Sequence, residues 1–266
     1  MAEETVIMGS DGELWILSKT GVGRGIFGGG STGSNNNTLD YITITTLGNA
    51  SDFGDISVTR RGSSNMSSLS RGVWGGGYST TSENTIDYVT ISTLGNASDF
   101  GDLTSARYYV AGCSNSTRGL SAGGGNGSSI NIIDYITIAT TGNSIDFGDM
   151  TVARDTITSG FESSTRGCFA GGYSGSTYYN IIDYVTIATT GNASDFGDLS
   201  SATDGPGSVS SNLRGVIAGG YDDTTWTNVE RYVTIPTTGN SSSFGSLTVA
   251  RTYCAGCSDA HGGLNS

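Results

Sequence analysis

Basic residues are scarce in this chain, and their scarcity argues against a nucleic-acid-binding protein. Of the 12 basic residues only Lys19 is a lysine, and 24 acidic residues give the 266-residue chain a formal net charge of −12. Binding to a phosphate backbone relies on clustered lysines and arginines that release condensed cations. The sequence contains no such cluster, so we predict no nucleic-acid partner.

Proline and long apolar runs are also nearly absent. Two prolines exclude a collagen triple helix, which combines abundant proline with a strict glycine period. No apolar run approaches the ~18 residues of a membrane span, so we predict no membrane insertion. The beginning of the chain lacks the basic and apolar regions of a signal peptide, and we therefore expect none.

The chain is instead rich in glycine, with 43 residues, and it contains an internal repeat. The dipeptide Arg-Gly recurs at intervals of 47, 47, 48 and 48 residues, beginning at Arg24, Arg71, Arg118, Arg166 and Arg214. Asp-Tyr begins at Asp40, Asp87, Asp134 and Asp183, and its fifth copy reads Arg231-Tyr232. Phe-Gly begins at Phe53, Phe100, Phe147, Phe196 and Phe244. Three markers in one register identify a repeat protein.

Each repeat reads as four short strands. An apolar run that closes on glycines, such as 215–220, is followed by a β-branched run such as 183–189, a strand around Asp-Phe-Gly-Asp, and a further short strand such as 108–113. Four strands in about 47 residues is the size of a propeller blade. The sequence therefore predicts an all-β fold, a five-bladed β-propeller over 21–260. An N-terminal extension, 1–20, would cap or attach it, and 261–266 would form a tail.

The strand count also predicts how the ring closes. The first repeat lacks its innermost strand, and the last strand, 252–258, has no second strand after it. An open array exposes strand edges, which proteins avoid. We therefore expect the C-terminal strand to enter the first blade and close the ring.

These residues resemble the kelch repeat. Its pattern of a double glycine, a later tyrosine, an aromatic residue, a leucine and an arginine is matched in one copy by Gly76-Gly77, Tyr88, Phe100, Leu103 and Arg107. A second copy reads Gly171-Gly172, Tyr184, Phe196 and Leu199. The chain departs from the family by carrying phenylalanine where kelch repeats usually have tryptophan. The resemblance implies a β-propeller and says little about activity.

Most charged residues occupy repeat positions, which indicates a structural role for them. An arginine and an aspartate in every repeat are predicted to pair, or to bond the backbone, between blades. Cys113 stands at the repeat position of Cys257, in the shared phrase Ala-Gly-Cys-Ser, and this predicts a small buried residue on an inner strand.

The two ends of the blades differ in sequence. The turns around Gly-Asn-Ala-Ser barely vary between repeats and indicate a scaffold, whereas the loops after the double glycines and before the innermost strands diverge. Variable loops on a rigid ring are usual binding sites. We predict a ligand- or partner-binding surface there, with the candidate residues Tyr108, Tyr109, Tyr178, Tyr179, Tyr221, Asp222, Asp223 and Trp226. Aromatic rings beside carboxylates suit sugar recognition; the alternative is that these tyrosines fill gaps between blades.

Chemical sites are weakly indicated. The oxygen-rich repeat around Asp-Phe-Gly-Asp is a weak calcium candidate, although the same residues build Asx turns without a metal. Its acids are Asp52, Asp55, Asp99, Asp102, Asp146, Asp149, Asp195 and Asp198. Cys254 and Cys257 lack the second pair that a zinc site requires, and four cysteines in a chain this long are not a disulfide framework. The single histidine, His261, argues against a Ser-His-Asp triad.

The complete repeat phrase is also similar to repeats in structural proteins of tailed phages of marine cyanobacteria. That resemblance implies a virion component such as a tail fibre, synthesised in the host cytoplasm, with other virion proteins as partners. We therefore expect a non-enzymatic protein without a cofactor that binds a host-surface glycan or receptor.

Two alternatives remain open. One is a purely structural module that docks onto another virion protein through residues 1–20 and the scaffold end. The other is a glycan-degrading enzyme, for which Asp222, Asp223 and Glu162 are the available carboxylates.

Overall fold

The computed structural model describes residues 5–8, 14–17, 23–157 and 159–256. These residues form strands, turns and loops but no helix, so none of them forms a helix that could cross a membrane. Five small antiparallel sheets follow one another along the chain as the blades of a five-bladed β-propeller. The fold predicted from the repeat is thereby confirmed.

The strands follow the order of the repeat. An N-terminal hairpin consists of β1 (Thr5–Met8) and β2 (Leu14–Leu17). Blade 1 consists of β3 (Arg24–Gly28), β4 (Thr38–Thr43) and β5 (Ser51–Asp55). Blade 2 consists of β6 (Ser64–Ser67), β7 (Arg71–Tyr78), β8 (Ser82–Thr90) and β9 (Ser98–Asp102). Blade 3 consists of β10 (Ala111–Ser114), β11 (Arg118–Ala122), β12 (Ile132–Thr137) and β13 (Ile145–Asp149).

The last two blades continue the series. Blade 4 consists of β14 (Ser159–Glu162), β15 (Arg166–Ala170), β18 (Ile181–Thr186) and β19 (Ser194–Asp198). The loop between β15 and β18 holds a small hairpin of β16 (Tyr173–Ser174) and β17 (Thr177–Tyr178). Blade 5 consists of β20 (Gly207–Ser210), β21 (Arg214–Ala218), β22 (Val229–Thr234) and β23 (Ser242–Ser246). Because β6, β10, β14 and β20 contact one another in chain order, the first strand of each blade lines the central axis.

The hydrophobic core lies between blades. Leu39 and Phe53 of blade 1, for example, share one cluster with Trp74 and Val89 of blade 2. Side chains on the two faces of a sheet alternate along each strand, so each blade offers one apolar face to each neighbour. A blade therefore depends on its neighbours for burial, as expected of repeat architectures.

Buried ion pairs lie at three of the blade junctions. Arg107 and Asp134 approach to 3.0 Å, and both side chains are fully buried. The same pair recurs as Arg60–Asp87 at 2.8 Å and as Arg154–Asp183 at 3.0 Å. The aspartate also accepts a hydrogen bond from the preceding blade, as Asp134 does from the Thr104 hydroxyl at 2.6 Å. These contacts confirm the predicted pairing of the repeated arginine and aspartate.

At the junction between blades 4 and 5, the arginine stands on the strand of blade 5 instead of on the linker. Thr203 stands where the other linkers carry arginine, and Arg231 stands where the other strands carry aspartate. The fully buried Arg231 guanidinium donates to the Ser200 and Ser201 hydroxyls at 2.8 and 2.5 Å. The position thus keeps a buried cation with hydrogen-bond partners although its ion pair is lost.

The Arg-Gly and Asp-Tyr markers form a second junction contact. The Arg71 guanidinium lies 4.4 Å from the centre of the Tyr88 ring in its own blade. It also donates to the Ile138 carbonyl of the next blade at 2.8 Å. Arg24, Arg118 and Arg166 make the same pair of contacts. One side chain thereby joins two strands of a blade to the neighbouring blade.

The Phe-Gly marker forms the outer rim of each junction. The Gly142 amide donates to the Phe100 carbonyl at 2.7 Å, and the Phe100 ring is buried. Gly101, at φ +141°, presses directly against the backbone of Gly142, where a Cβ atom would collide. The rim therefore needs glycine both for its backbone angle and for its close approach.

Blade 1 has three strands rather than the four that the closing strand was predicted to give it. The described part of that strand, 252–256, forms no ladder with β3. It lies beside β20 instead, where the Tyr253 amide donates to the Gly205 carbonyl at 2.8 Å and Gly256 abuts the Ser208 carbonyl. Residues 257 and 258 lie outside the described residues. The segment thus takes the innermost position without the predicted pairing.

Candidate binding face

The loops gather at two ends of the blades. We call the scaffold face the end that holds the turns 44–50, 91–97, 138–144, 187–193 and 235–241 and the tight turns between the first two strands of blades 2 to 5. We call the variable face the opposite end, formed by loops 29–37, 79–81, 123–131, 171–180 and 219–228 and by linkers 56–63, 103–110, 150–157 and 199–206.

The scaffold face repeats one structure. In all five blades the turn after the third strand is closed by a hydrogen bond between threonines, as from the Thr93 amide to the Thr90 carbonyl at 3.0 Å. Four of these turns then bond the rim of the preceding blade. Shared partners explain why the sequence of these turns barely changes.

On the variable face, the four linkers and the C-terminal segment each contain one corresponding residue in the left-handed backbone region. Two of these five positions hold glycine, and three hold residues for which this conformation is strained: Tyr109 at φ 54°, Thr156 at φ 53° and Tyr253 at φ 54°. Left-handed conformations are uncommon for residues other than glycine, and especially so for β-branched threonine. Such strain concentrates at functional sites, which draws attention to this end of the axis.

An inner aromatic cluster spans this end of the molecule and consists of Tyr78, Tyr108, Tyr109 and Tyr253. Neighbouring ring centres lie 5.3, 5.1 and 5.8 Å apart, in that order. Tyr109 and Tyr253 stack nearly parallel, at 24°. Tyr109 belongs to the start of blade 3 and Tyr253 to the C-terminal segment, so their stacking bridges the linker that contains Gly62. The cluster thus lies beside the mouth of the central axis.

An outer aromatic cluster lies on blades 4 and 5 and consists of Tyr173, Tyr178, Tyr221 and Trp226. The Tyr178 ring lies 4.9 Å from Tyr173 and 5.8 Å from Tyr221, centre to centre. Trp226 pairs with Tyr221 across an antiparallel bridge, and 62% of its surface remains exposed. Three packed tyrosine rings and an exposed indole on the same loop form an amphipathic surface that is available to a ligand.

Two half-buried carboxylates, Asp155 and Asp204, lie between the aromatic clusters. Each forms a backbone bridge to a tyrosine of the outer cluster, Asp155 to Tyr173 and Asp204 to Tyr221. Burial raises the pKa of both carboxyl groups above its ordinary value, and the negative charge of Asp155 adds to the rise at Asp204. Hydroxyl groups oppose the shift, since Ser129 donates to Asp155 at 3.0 Å.

The two acids of the blade 5 loop have different roles. Asp222 closes a turn, accepting from the Thr224 hydroxyl at 2.7 Å and from the Thr225 amide at 3.0 Å, and the first of these bonds contributes most to lowering its pKa. Asp223 is exposed, in a left-handed conformation at φ 76°. Its charge, after desolvation, helps to raise the pKa of the Tyr178 phenol.

The predicted binding residues thus separate into groups. The outer cluster contains Tyr178, Tyr221 and Trp226. The loop between Tyr221 and Trp226 also carries Asp222 and Asp223. Tyr108 and Tyr109 belong to the inner cluster. Tyr179 is held in place through its backbone: its amide donates to the Gly172 carbonyl at 2.9 Å, and its carbonyl accepts from the Thr203 amide. The alternative, in which these aromatic residues fill gaps between blades, fits Tyr108, whose ring packs against Tyr78 and Tyr109. It does not fit Trp226, which is exposed.

The predicted candidates omit several residues of this face, although the loops and linkers that carry them are predicted to be variable: Tyr78, Tyr173, Tyr253, Asp155 and Asp204. The residue before each left-handed position reads Arg61, Tyr108, Asp155, Asp204 and Thr252 in successive copies. The first four of these residues share a backbone bridge to the loop after the double glycine, but their side chains differ in chemistry except at the two aspartates. A side chain without a repeated partner is free to take a specific role.

The weaker chemical candidates lie elsewhere. Asp99 and Asp195 accept from the amides of Gly101 and Gly197, two residues on, at 3.1 and 3.0 Å, which is the Asx-turn role. No group of three or more potential metal ligands is present among the described residues. Glu162 is buried at the end of β14 nearest the scaffold face, away from Asp222 and Asp223.

The inner-strand cysteine prediction is confirmed. Cys113 lies buried on β10, and Cys168 is buried on the neighbouring β15. Desolvation raises the pKa of both thiols, which makes them poor nucleophiles. Cys257 and His261 lie outside the described residues.

Comparison with known proteins adds no assignment to this geometry. No protein-family model matches the chain, and no curated protein matches it. The argument for function therefore rests on the surfaces described above.

Proposed function

We propose that the protein is a non-catalytic recognition module that binds a neutral carbohydrate on its variable face. The observation that carries the proposal is the exposed Trp226, bridged through its backbone to Tyr221, whose ring in turn packs against Tyr178. The C–H face of a pyranose is apolar and covers an aromatic ring well, while its hydroxyl groups bond to neighbouring polar side chains. Asp223, exposed on the loop between Tyr221 and Trp226, is such a polar group.

The charge of the face favours a neutral sugar over an anionic one. Asp155, Asp204, Asp222 and Asp223 lie on it, and Arg61 is directed onto the Tyr78 ring, 5.0 Å from its centre. The negative potential of these carboxylates repels sulfated or sialylated glycans. The ligand class is therefore an uncharged hexose or pentose chain.

We further propose that the module belongs to a phage virion, as part of a tail fibre or appendage, and that its kelch-like propeller displays this face to a host surface. The resemblance of the repeat to virion repeats supports this placement. The net charge of −12 also suits a particle component that must remain soluble. Its remaining partners would be other virion proteins.

Binding to an array of neutral and anionic glycans tests this proposal. We expect the wild-type chain to bind one or more neutral structures and Trp226→Ala to lose at least ~10-fold in affinity, as for removal of an aromatic binding anchor. Tyr178→Ala should lose less. Leu213→Ala, an exposed substitution on the scaffold face, is the matched control and should bind normally. Equal binding by Trp226→Ala would exclude the outer cluster as the site.

A second candidate function is docking onto another virion protein, and one feature of the scaffold face favours it. Leu47, Leu69, Leu94 and Leu213 are exposed there, whereas the variable face exposes aromatic and acidic residues. Exposed apolar side chains on one end suit a protein interface. Removal of residues 1–20, or Leu69→Ser with Leu213→Ser, should then reduce incorporation into particles, and unchanged incorporation would exclude this role.

A further inference from the structure

One side of blade 5 has no blade against it among the described residues. Phe244 is 50% exposed, whereas the four equivalent phenylalanines are each 2% exposed. All five residues of β23 are exposed. Arg251, at the repeat position of the buried Arg107, is exposed as well. We call this surface, formed by β23 and Arg251, the last face.

The opposite side of blade 1 is equally uncovered. Phe27 is 52% exposed, although Trp74 at the same position of blade 2 is 5% exposed. Ile44 is 61% exposed, although its equivalents Ile138 and Ile187 are fully buried. We call this surface, formed by Phe27, Asp40 and Ile44, the first face.

Asp40 and Arg251 are the clearest pair across these faces. Asp40 occupies the position of Asp87, Asp134 and Asp183, each of which is buried in an ion pair. Arg251 occupies the position of their partners Arg60, Arg107 and Arg154. Both Asp40 and Arg251 are exposed in this structure. The repeat thus supplies both halves of a fourth ion pair, one on each face.

The other junction contacts have their donors and acceptors as well. Gly48 corresponds to Gly95, whose amide donates to the Phe53 carbonyl at 2.8 Å, and Phe244 supplies the matching carbonyl. Arg214, stacked 4.6 Å from the centre of the Tyr232 ring, corresponds to Arg166, and Ile44 supplies the carbonyl. The first face and the last face therefore carry the same complementary groups as the two sides of each junction that is formed.

We propose that the first face and the last face bind each other within one chain and form a fifth blade junction. Asp40 and Arg251 become its buried ion pair, Arg214 donates to the Ile44 carbonyl, and the Phe244 ring is covered by blade 1. This junction closes the ring through its outer strands and does not depend on a ladder between the C-terminal segment and β3.

Contacts at the axis favour a partner in the same chain over a second copy. The segment 252–256 already occupies the innermost position beside β20, and Tyr253 stacks on Tyr109 at 5.8 Å. The C-terminal segment thus reaches, within one chain, from blade 5 to Tyr109 at the start of blade 3. A tethered face also has a far higher effective concentration than a face on another molecule.

Charge reversal at the proposed pair tests the closure. Asp40→Arg and Arg251→Asp should each lower the melting temperature by roughly 5–10 °C, because each leaves like charges at a buried position. The double variant should recover most of that loss. Arg60→Asp with Asp87→Arg, at a formed junction, is the positive control. Leu213→Arg, at a position that is 68% exposed in a turn of the scaffold face and outside both faces, should change little. Additive losses in the double variant would overturn the proposal.

Hydrogen exchange in the unmodified protein gives an independent answer, even if a variant fails to fold. The Gly48 amide should be protected from exchange to within about tenfold of the Gly95 amide, at any protein concentration. Protection that appears only as concentration rises, together with dimers in sedimentation, would assign the faces to two copies. Exchange of Gly48 at the rate of an open loop would show that no fifth junction forms. Either of these results overturns closure within one chain.

Discussion

The blade rim and the variable face come from the same repeat, yet their copies behave in opposite ways. At the rim, four junctions form the same amide-to-carbonyl bond at 2.7–2.8 Å, and glycine recurs in every copy. On the variable face, one position reads Arg61, Tyr108, Asp155, Asp204 and Thr252. The rim sequence is fixed because each copy must fit its neighbour's backbone. On the variable face, four of these residues share only a backbone bridge, so their side chains are free to differ and to meet a ligand.

The largest expected effect is at the junctions. Arg107→Ala should destabilise the fold by about 3–5 kcal/mol, because it leaves Asp134 buried without its ion-pair partner. Arg61→Ala on the variable face is the matched substitution and should cost only about 1 kcal/mol, because it loses the Tyr78 ring and the Asn35 side chain but leaves no buried charge unpaired. Urea unfolding measures both, and equal losses would erase the distinction between the two regions.

A pair of glycine substitutions separates backbone strain from close packing at the rim. Gly101 and Gly95 have similar angles, φ +141° and +147°, but only Gly101 lies against a neighbouring backbone. Gly95→Ala should cost about 1–2 kcal/mol through strain alone, and Gly101→Ala should cost more. If thermal unfolding shows equal losses, the close approach of the blades contributes nothing.

A moderate effect that depends on pH is expected at Asp204. Its pKa is raised in the folded state, so the folded protein holds this proton more tightly and loses stability as pH rises above about 4. Asp204→Asn removes that loss and should raise the melting temperature at pH 7 but hardly at pH 4. Asp52→Asn, at an exposed position on β5, is the matched control. A gain that is the same at both pH values would contradict the assigned cause.

The smallest expected effect on stability is at Trp226. Because this ring is 62% exposed, Trp226→Ala should change the free energy of unfolding by less than about 0.5 kcal/mol. Trp74→Ala, at a 5% exposed position between blades, should cost about 3–5 kcal/mol. Comparable losses from the two tryptophans in urea unfolding would place Trp226 in the structural core.

The sequence predicts most of the scaffold because scaffold contacts repeat. The spacing of Arg-Gly, Asp-Tyr and Phe-Gly gave the blade count, and the recurrence of one arginine and one aspartate gave the buried pairs. The exchange at Thr203 and Arg231 shows the limit of this reasoning. There the repeat is broken, and only the three-dimensional arrangement shows Ser200 and Ser201 bonding the displaced cation.

The candidate site is less predictable for the same reason. The stacking of Tyr109 on Tyr253 joins residues 144 positions apart, and neither spacing nor propensity indicates such a contact. The positive φ of Thr156 is likewise set by the linker geometry, against the preference of the residue. The divergence between repeats predicts which loops vary, but which aromatic rings remain exposed depends on how those loops pack in three dimensions.

The most direct test of the central claim is to map amide chemical-shift changes as neutral oligosaccharides are titrated into the protein. Our account predicts shifts concentrated at Tyr178, Tyr221 and Trp226, with the turns of the scaffold face unchanged. Shifts confined to the scaffold face, or none across a panel of neutral sugars, would contradict it.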